Sequence, residues 1–333
     1  MAFRVVLAGG AGFIGRHVVY ELLRRNQRVR IADMPDTANR FVLDKLGCDF
    51  IGGDLRDPTT ARAALHDSDV CICLAARSAG IGFFNEHPAE MLDDNLRILS
   101  AIFEAARFHK FARMVYISSS CVFDRSTAHP ITESALPLSP PPSSGYPFSK
   151  LAGEFYCKTF YEQHGLNFTV LRPFNVYGPG ELPGNQPGDS HVIPDLTAKI
   201  LAQQWPLEII GDGTHTRSFT HVKDVAEGIV MAMENPRALN EDFNLGPPLT
   251  TRLGHKSEIS ILALAKKLWQ ICGRTEPFEV KMKKQYAVDV RQRAVDIKKA
   301  TDLLGWEPTV DLDSGLTEYV SWYRMHTSVG SRT

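Results

Sequence analysis

The stretch LAGGAGFIGRH near the N-terminus constrains the fold of this chain more than any other. It follows an apolar run, RVVLAG (4–9), and leads into an amphipathic helical pattern, GRHVVYELLRRN (15–26). Gly9, Gly12 and Gly15 lie at the junction, where they allow a tight turn and a close approach of the backbone to a pyrophosphate. The helix N-terminus adds N–H groups and a positive dipole end. The pattern predicts a strand–turn–helix unit that binds a dinucleotide.

Strand-like and helix-like segments then alternate as far as residue 173. The strand-like runs are rich in Val, Ile and Leu: VRIAD (29–33), VCICLAA (70–76), RMVYIS (113–118) and FTVLRP (168–173). Helical periodicity is clearest over 91–110 and 149–165. Apolar strands separated by helices indicate a parallel sheet that is covered on both faces. The predicted class is α/β, a doubly wound parallel sheet of the Rossmann type.

The pattern changes after residue 173, where a Gly- and Pro-rich segment (175–194) predicts a long loop. A helix (195–204) and a short strand (207–210) follow, and 218–234 and 242–246 are expected to return to the main sheet. We therefore expect a smaller, interleaved C-terminal substrate lobe. The predicted units are an NAD-binding Rossmann domain of residues 1–175 plus about 216–247 and a substrate lobe of residues 176–215 plus 248–328.

Composition excludes several classes of partner. The chain has 333 residues and a net charge of −1, so no basic field attracts nucleic acid or a membrane surface. No apolar run reaches the length of about 18 residues that a membrane helix needs. The six cysteines lack C-x-x-C spacing, which argues against a metal site. They are predicted to be free thiols, as in the reducing cytoplasm.

Asp33 ends the second strand-like run. A carboxylate there accepts hydrogen bonds from the adenosine ribose hydroxyls and repels a 2′-phosphate, which favours NAD over NADP. Arg30 lies on the strand itself and is less well placed to bind a phosphate. In GGDLRD, which follows a short strand, Asp54 is expected to reach the adenine. The predicted NAD site also contains Phe13, Ile14, Leu55, Ala75 and Lys150.

YPFSK places Tyr146 and Lys150 four residues apart, on one face of a helix. A lysine ammonium beside a phenol stabilises the phenolate, so we expect the pKa of Tyr146 to be lowered. The tyrosine can then take a proton from an alcohol while hydride leaves to the nicotinamide. Of the serines in SSS (118–120), Ser119 is expected to bond the same substrate hydroxyl and Ser120 to contact the substrate.

Together these motifs resemble the extended short-chain dehydrogenases/reductases of the nucleotide-sugar epimerase and dehydratase type. The resemblance runs over nearly the full length through GGAGFIG, GDLRD, LAA, SSSCVF, YPFSK, RPFNVYGPG, RSFTHVKDVAEG and RAVDIKKATDLLGW. Ala8 departs from the usual Thr before the glycines, and VFD departs from the common VYG. The resemblance implies an enzyme that oxidises the hexose of a nucleotide-diphosphate sugar, usually at C4.

The same resemblance implies roles for further residues. Asn175 would contact the sugar, while Arg217 and Arg293 would bind the diphosphate, for which the guanidinium fork is well suited. The helices predicted over 91–110 and 149–165 resemble those that pair into a four-helix bundle in homodimers of this superfamily. A homodimer is therefore expected.

The closest resemblance concerns Cys121 and His191. Dehydratases of this type carry an Asp–Glu pair at the positions of Ser120 and Cys121, so dehydration is not expected. SSSCVF resembles the S-S-x-C-I-Y motif of GDP-mannose 3,5-epimerases and GDP-fucose synthases, in which the cysteine exchanges ring protons beside a C4 ketone. SHVIP also occurs in the fucose synthases, where its histidine, matching His191, is the second group. AARSAGIGFF (75–84) resembles a loop of both families.

The leading hypothesis is an epimerase with tightly bound NAD that acts at C5, with action at C3 left open and GDP-mannose as the favoured substrate. The 3,5-epimerases have a lysine where His191 stands, yet no lysine occurs between Lys158 and Lys199. A fucose-synthase-like epimerase-reductase would consume NADPH, against which Asp33 argues. A plain 4-epimerase with an inert Cys121 is a further alternative. A nucleotide-sensing protein on the same fold would typically lose the Tyr/Lys pair.

Overall fold

A computed structural model describes residues 3–35, 46–78, 86–184, 190–250, 257–284 and 294–330. The strands in these ranges are β1 (Arg4–Ala8), β2 (Arg28–Asp33), β3 (Asp49–Gly52), β4 (Val70–Cys73), β5 (Arg113–Ile117), β6 (Phe168–Pro173), β7 (Val176–Tyr177), β8 (Leu207–Ile210), β9 (Thr216–Ser218), β10 (Thr220–His221), β11 (Glu241–Leu245), β12 (Glu258–Ser260) and β13 (Val280–Lys283). The helices are α1 (Phe13–Arg24), α2 (Pro58–Leu65), α3 (Pro88–Phe108), α4 (Gly145–His164), α5 (Val192–Leu201), α6 (Val222–Glu234), α7 (Ile261–Ile271), α8 (Lys298–Leu304) and α9 (Leu312–Gly330).

Seven parallel strands of the described ranges form one sheet, in the order β11–β6–β5–β4–β1–β2–β3. The direction of winding reverses between β1 and β4, whose register pairs Ala8 with Cys73. In a doubly wound sheet, the crevice outside the carboxyl ends of the strands at this reversal is the usual place for a ligand. The predicted α/β class is therefore confirmed, and it puts the glycine turn after β1 directly at that crevice.

Apolar helices cover both faces of the sheet. On one face, α1, α6 and α8 pack on side chains such as Leu7, Ile31 and Leu171. On the other face, α2, α3 and α4 pack on the alternate side chains of the same strands, such as Val6 and Val170. Successive side chains of a strand point to opposite faces, so strands that are covered twice are apolar throughout.

A third apolar cluster lies in the C-terminal half. It joins α5, α7 and α9 to β8, and its fully buried members include Ile200, Leu207, Leu264, Leu268, Leu316 and Tyr319. The same half of the chain contains two short strand pairs, β8 with β13 and β9 with β12. We propose that this cluster is the core of the substrate lobe; the residue division given above stays a prediction.

The strands match their predictions to within a few residues, whereas two functional helices begin earlier than predicted. Helix α4 begins at Gly145 rather than 149, and α5 begins at Val192 rather than 195. Pro147 and Pro194 each lie in the first turn, where a missing N–H costs no helical hydrogen bond. Prolines in these positions mark a helix start, not the preceding loop.

All six cysteines are free thiols, and Cys71 and Cys73 are buried in β4 as predicted. Among the side chains of the described ranges, no three His, Cys, Asp or Glu residues form a group that could hold a metal ion. None of the helices in the same ranges is long and apolar enough to cross a membrane.

Candidate active site

A cleft of about 930 Å³ opens at the carboxyl ends of the parallel strands. One wall comes from the glycine turn, the ends of β2 and β4, and α4; the other comes from segments between residues 175 and 219. The predicted site residues that line it are Gly9, Gly12, Phe13, Ile14, Gly15, Asp33, Asp54, Leu55, Ala75, Ser119, Ser120, Cys121, Tyr146, Lys150, Asn175, His191 and Arg217. Arg293 lies outside the described residues.

The glycine turn leaves no room for a side chain at Gly9 or Gly15. Gly9 has a positive φ of +81°, and a Cβ there would lie 2.6 Å from the backbone nitrogen of Ala75. A Cβ on Gly15 would lie 2.6 Å from the carbonyl oxygens of Gly9 and Gly10. No side chain of the described residues caps the N-terminus of α1 at Gly12, so the end of the helix faces the cleft uncapped. These features fit the pyrophosphate of a dinucleotide.

Asp33 is held at the end of β2. Its carboxylate accepts hydrogen bonds from the backbone N–H groups of Ala11, at 2.8 Å, and Met34, at 2.7 Å. Burial raises the pKa of Asp33, and the two N–H donors offset only part of this effect. Each oxygen keeps a further lone pair, because a carboxylate accepts about four hydrogen bonds. The group can therefore hold the glycine turn and the ribose hydroxyls of NAD at once.

Asp54 belongs to a charged network that the sequence did not indicate. Arg56 donates from Nη2 to Asp54 at 2.6 Å and from Nη1 to Asp94 at 2.5 Å. Arg77 donates to the other oxygen of Asp94, also at 2.6 Å. Arg56, Arg77 and Asp94 all line the cleft with Asp54. No sequence pattern pairs residues from three such separate segments, so reasoning on the sequence alone missed them.

Tyr146 and Lys150 lie one turn apart at the start of α4. The Lys150 ammonium donates to the carbonyl oxygen of Ile117 at 2.9 Å and lies 5.8 Å from the centre of the Tyr146 ring. The hydroxyls of Tyr146 and Ser119 share a hydrogen bond. Ser149 fixes the same turn by donating to the carbonyl oxygen of Tyr146 at 2.8 Å. The three residues predicted for hydride chemistry thus share one wall.

The expected lowering of the Tyr146 pKa is not found. Burial raises the pKa of Tyr146 well above its ordinary value, Cys121 raises it further, and the Ser119 hydrogen bond opposes the rise. Burial also lowers the pKa of Lys150 to about 8, although Cys73 and Cys121 act against this. Desolvation disfavours the charged form of both groups. The protein alone therefore keeps the phenol neutral, contrary to the expectation from the four-residue spacing.

Cys121 lies just beyond the serines, in a short 3₁₀ helix (Ser120–Phe123). Ser119 caps this helix and accepts a hydrogen bond from the backbone N–H of Cys121 at 3.2 Å. Cys121 is half-buried, lines the cleft, and is close enough to affect the pKa of Tyr146, Lys150 and His191. The thiol is therefore next to the hydride-transfer residues and within electrostatic range of His191.

His191 is the residue before α5, across the cleft. Its Nδ1 hydrogen-bonds the carboxylate of Glu181, which was not predicted as a site residue. The imidazole is open to the cleft, yet the protein atoms around it displace water and oppose its charge. Glu181 and, more weakly, Cys121 outweigh this desolvation and raise the pKa of His191. The Gly- and Pro-rich segment offers no pattern that links residues 181 and 191, so this pair could not be predicted from the sequence.

Asn175 and Arg217 line the cleft beside these groups. Asn175 has a positive φ of +39°, and its side-chain amide donates to the carbonyl oxygen of Ser218 at 2.8 Å. Arg217 donates from Nη1 to the carbonyl oxygen of Thr216 at 2.8 Å. Their predicted contacts with sugar and diphosphate stay predictions.

Residues 5–246 match the NAD dependent epimerase/dehydratase family. The chain belongs to this family. It is therefore an enzyme with NAD as cofactor, as predicted.

Two relatives are similar over almost their whole length. A putative UDP-glucose 4-epimerase of Methanocaldococcus jannaschii is 31% identical over 96% of this chain and 98% of its own. A dTDP-4-dehydro-6-deoxy-D-allose reductase of Streptomyces bikiniensis is 30% identical over 97% of both chains.

A solved structure has the same architecture. The UDP-glucuronic acid 4-epimerase of Bacillus cereus, in complex with UDP-glucuronic acid and NAD, is 28% identical with a TM-score of 0.84. The superposition covers 97% of this chain and 99% of that chain. The predicted extended short-chain dehydrogenase/reductase type is thus confirmed.

Proposed function

We propose that this enzyme is a nucleotide-sugar epimerase that oxidises C4 transiently and then inverts C5, C3 being open to the same chemistry. The observation that carries the proposal is that the residues predicted for hydride transfer and those predicted for ring-proton exchange line one cleft. Tyr146, Lys150 and Ser119 share it with Cys121 and His191. Bound NAD would accept hydride from C4 and return it at the end of each cycle.

The residues of this chain supply the proton chemistry. Tyr146, bonded to Ser119, takes the hydroxyl proton at C4 in its phenolate form, which burial disfavours. The Lys150 ammonium, 5.8 Å from the centre of the ring, is the positive charge of this chain that favours the phenolate. A C4 ketone acidifies the protons at C3 and C5. Cys121 and His191 then exchange a ring proton through an enolate, one residue on each face of the ring.

The proposed substrate is a nucleotide-diphosphate hexose of the GDP-mannose type. Its support is the similarity of SSSCVF and SHVIP to enzymes that act on such sugars, together with the cleft that Cys121 and His191 share with Tyr146. Arg217, and Arg293 by the earlier resemblance, would bind the diphosphate. Asn175 and Ser120 would contact the sugar.

A simple 4-epimerase is the second candidate. It is favoured by the relative from Methanocaldococcus jannaschii and the solved structure from Bacillus cereus, which are named as 4-epimerases of UDP-sugars. This reaction needs Tyr146, Lys150 and Ser119 only, because the ketone turns over and takes hydride on its other face. Cys121 would then be inert.

Solvent deuterium separates the two candidates. The enzyme is incubated with GDP-mannose and catalytic NAD⁺ in D₂O, and the recovered sugar is examined by NMR. Deuterium at C5 or C3 supports the ring-proton mechanism. Inversion at C4 without deuterium, tested also with UDP-glucose and UDP-glucuronic acid, would establish the 4-epimerase instead.

We also propose a homodimer built on α3 and α4. These helices pack on each other, and α4 presents Phe148 and Phe155, which are 44% and 59% exposed, seven residues apart on one face. Exposed aromatic side chains at this spacing favour an interface. A cytoplasmic location is proposed from the six free thiols.

A further inference from the structure

Glu181 is a buried carboxylate that the mechanism above does not use. Its side chain is only 8% exposed, whereas the side chain of His191, which it bonds, is 66% exposed toward the cleft. One carboxylate oxygen accepts from Nδ1 of His191. The other, Oε2, is buried and has no hydrogen-bond partner within the ranges that the structure describes. A buried charge in this state is costly unless an opposite charge lies beside it.

The backbone around Glu181 is held by two separate helices, α9 and α1. Tyr319 of α9, itself fully buried, donates to the carbonyl oxygen of Glu181 at 2.9 Å. Arg16 and His17 of α1 both bond the carbonyl oxygen of Pro179, two residues earlier. These contacts hold the backbone from which the Glu181 carboxylate reaches His191.

The hydrogen bond also decides which ring nitrogen is available. Because a carboxylate only accepts, Nδ1 of His191 carries a proton and donates to Glu181. Nε2 is then the nitrogen that can meet a bound molecule. The ionisable groups that act on the imidazole are Glu181 and Cys121 in the 3₁₀ helix. Asp195, in the first turn of α5, lines the same cleft. Asp195 is already paired with Lys199 at 2.7 Å.

We infer that Glu181 is a positioning residue that fixes His191 with Nε2 toward the cleft and holds the imidazole as a cation. Glu181 touches neither the substrate nor the cofactor in this role. It acts through His191, and the inference deepens the proposed function, on which its catalytic consequence rests. The helix N-terminus of α5 disfavours a cation at this position, so the charge on Glu181 is needed to hold it.

The consequence for the proposed reaction is a defined direction of proton flow. Cys121, as the thiolate, takes the ring proton as the C–H bond breaks, and the electron pair moves into the C4 carbonyl to give an enolate. His191 then gives its Nε2 proton to the opposite face of the same carbon, and the ketone re-forms. Cys121 is left as a thiol and His191 as a neutral imidazole; the thiol releases its proton to solvent and the imidazole takes one up.

The test is an NMR titration of the NAD-bound enzyme with labelled histidine. The signal of His191 is assigned from its absence in His191→Gln. The expected midpoint in the natural protein lies above about 6.5, the ordinary histidine value. In Glu181→Gln, which keeps the shape and loses the charge, the midpoint should fall by about 1 to 3 pH units. Glu181→Asp should lie nearer to the natural protein than Glu181→Gln.

Glu133→Gln is the matched control, because Glu133 is a half-buried carboxylate bonded to the backbone N–H of Asn244 and does not line the cleft. The pH midpoint of the His191 titration in Glu133→Gln should equal that of the natural protein. An unchanged midpoint in Glu181→Gln overturns the inference, as does equal behaviour of the Asp and Gln variants. A midpoint at or below the ordinary value in the natural protein overturns it without any variant.

Activity then separates this inference from the proposed function. Ring-proton exchange should decrease as pH rises through the His191 midpoint, since the cation is the proton donor, and this decrease should move to lower pH in Glu181→Gln. If no sugar shows ring-proton exchange while Glu181→Gln still lowers the midpoint, the proposed function fails and the role of Glu181 toward His191 stands. If exchange occurs with the same pH profile in both proteins, the role of Glu181 fails and the proposed function stands.

Discussion

The two reactive pairs in the cleft are assembled in different ways. Tyr146 and Lys150 are four residues apart on one helix, and their relative position follows from helical geometry. Cys121 and His191 are 70 residues apart, on a 3₁₀ helix and at the start of α5. The first pair needs only a helix that docks on the sheet; the second needs two segments to meet across a cleft. A change in one pair should therefore leave the other in place, which separates their chemistry experimentally.

The largest effect is expected from Tyr146→Phe. Loss of the proton acceptor at C4 should lower both NAD⁺ reduction by the sugar and ring-proton exchange by about 10²- to 10⁴-fold, because exchange requires the C4 ketone. Absorbance at 340 nm and deuterium incorporation measure the two steps. Tyr161→Phe, on the exposed side of the same helix, is the matched control. Exchange that survives in Tyr146→Phe would mean that the ring protons move without oxidation at C4.

Cys121→Ser should affect only one of the two steps. Ring-proton exchange should decrease by about 10²-fold or more, while transient NAD⁺ reduction stays detectable. Cys48→Ser replaces another half-buried thiol, which does not line the cleft, and should change neither step. Unchanged exchange in Cys121→Ser would leave the cysteine without a chemical role and favour the 4-epimerase.

Two glycines of the turn, Gly15 and Gly12, should respond differently to substitution by alanine. Gly15→Ala places a Cβ 2.6 Å from two carbonyl oxygens, so it should destabilise the protein by about 1–3 kcal/mol. At Gly12 the nearest atom would be 3.4 Å from the new Cβ, an ordinary contact. Gly12→Ala should thus keep the melting temperature of the NAD-free protein and weaken NAD binding. Equal melting temperatures for the two variants would show that the turn can relax.

The smallest effect is expected from Asp33→Asn. The natural carboxylate repels a 2′-phosphate, so its loss should reduce the preference for NAD over NADP by about tenfold, or ~1.4 kcal/mol. The ratio of the two Kd values measures this preference and cancels any loosening of the turn that Asp33 supports. A ratio that does not move would place the discrimination elsewhere in the cleft.

The elements that were predicted correctly are those with a local cause. Apolar strands of five or six residues and the glycine turn can each be recognised from a few neighbouring residues, so the sheet could be predicted from the sequence. The starts of α4 and α5 were predicted three or four residues late because Pro147 and Pro194 resemble loop residues. The pKa of Tyr146 was predicted in the wrong direction, since spacing reports which groups are neighbours but not how much water surrounds them.

Glu181 shows the limit of sequence reasoning at the site. In sequence it is one acidic residue in a Gly- and Pro-rich segment, without a period or motif that marks it. The role proposed for Glu181 rests on its burial and on its hydrogen bond to His191. Both depend on the contacts by which α1 and α9 hold the loop around it. The Arg56–Asp94–Arg77 network was missed for the same reason.

The sequence by itself determined the parallel sheet, the glycine turn, NAD as the cofactor and the spacing of the Tyr146–Lys150 pair. Each depends on neighbours within a few residues or on one strand–turn–helix unit, where backbone geometry fixes the outcome. Only the tertiary structure decided that Cys121 and His191 share a cleft, that Glu181 bonds the imidazole, and that burial opposes ionisation of Tyr146. These properties depend on solvent exclusion and on contacts between distant segments, which exist only once the chain is packed.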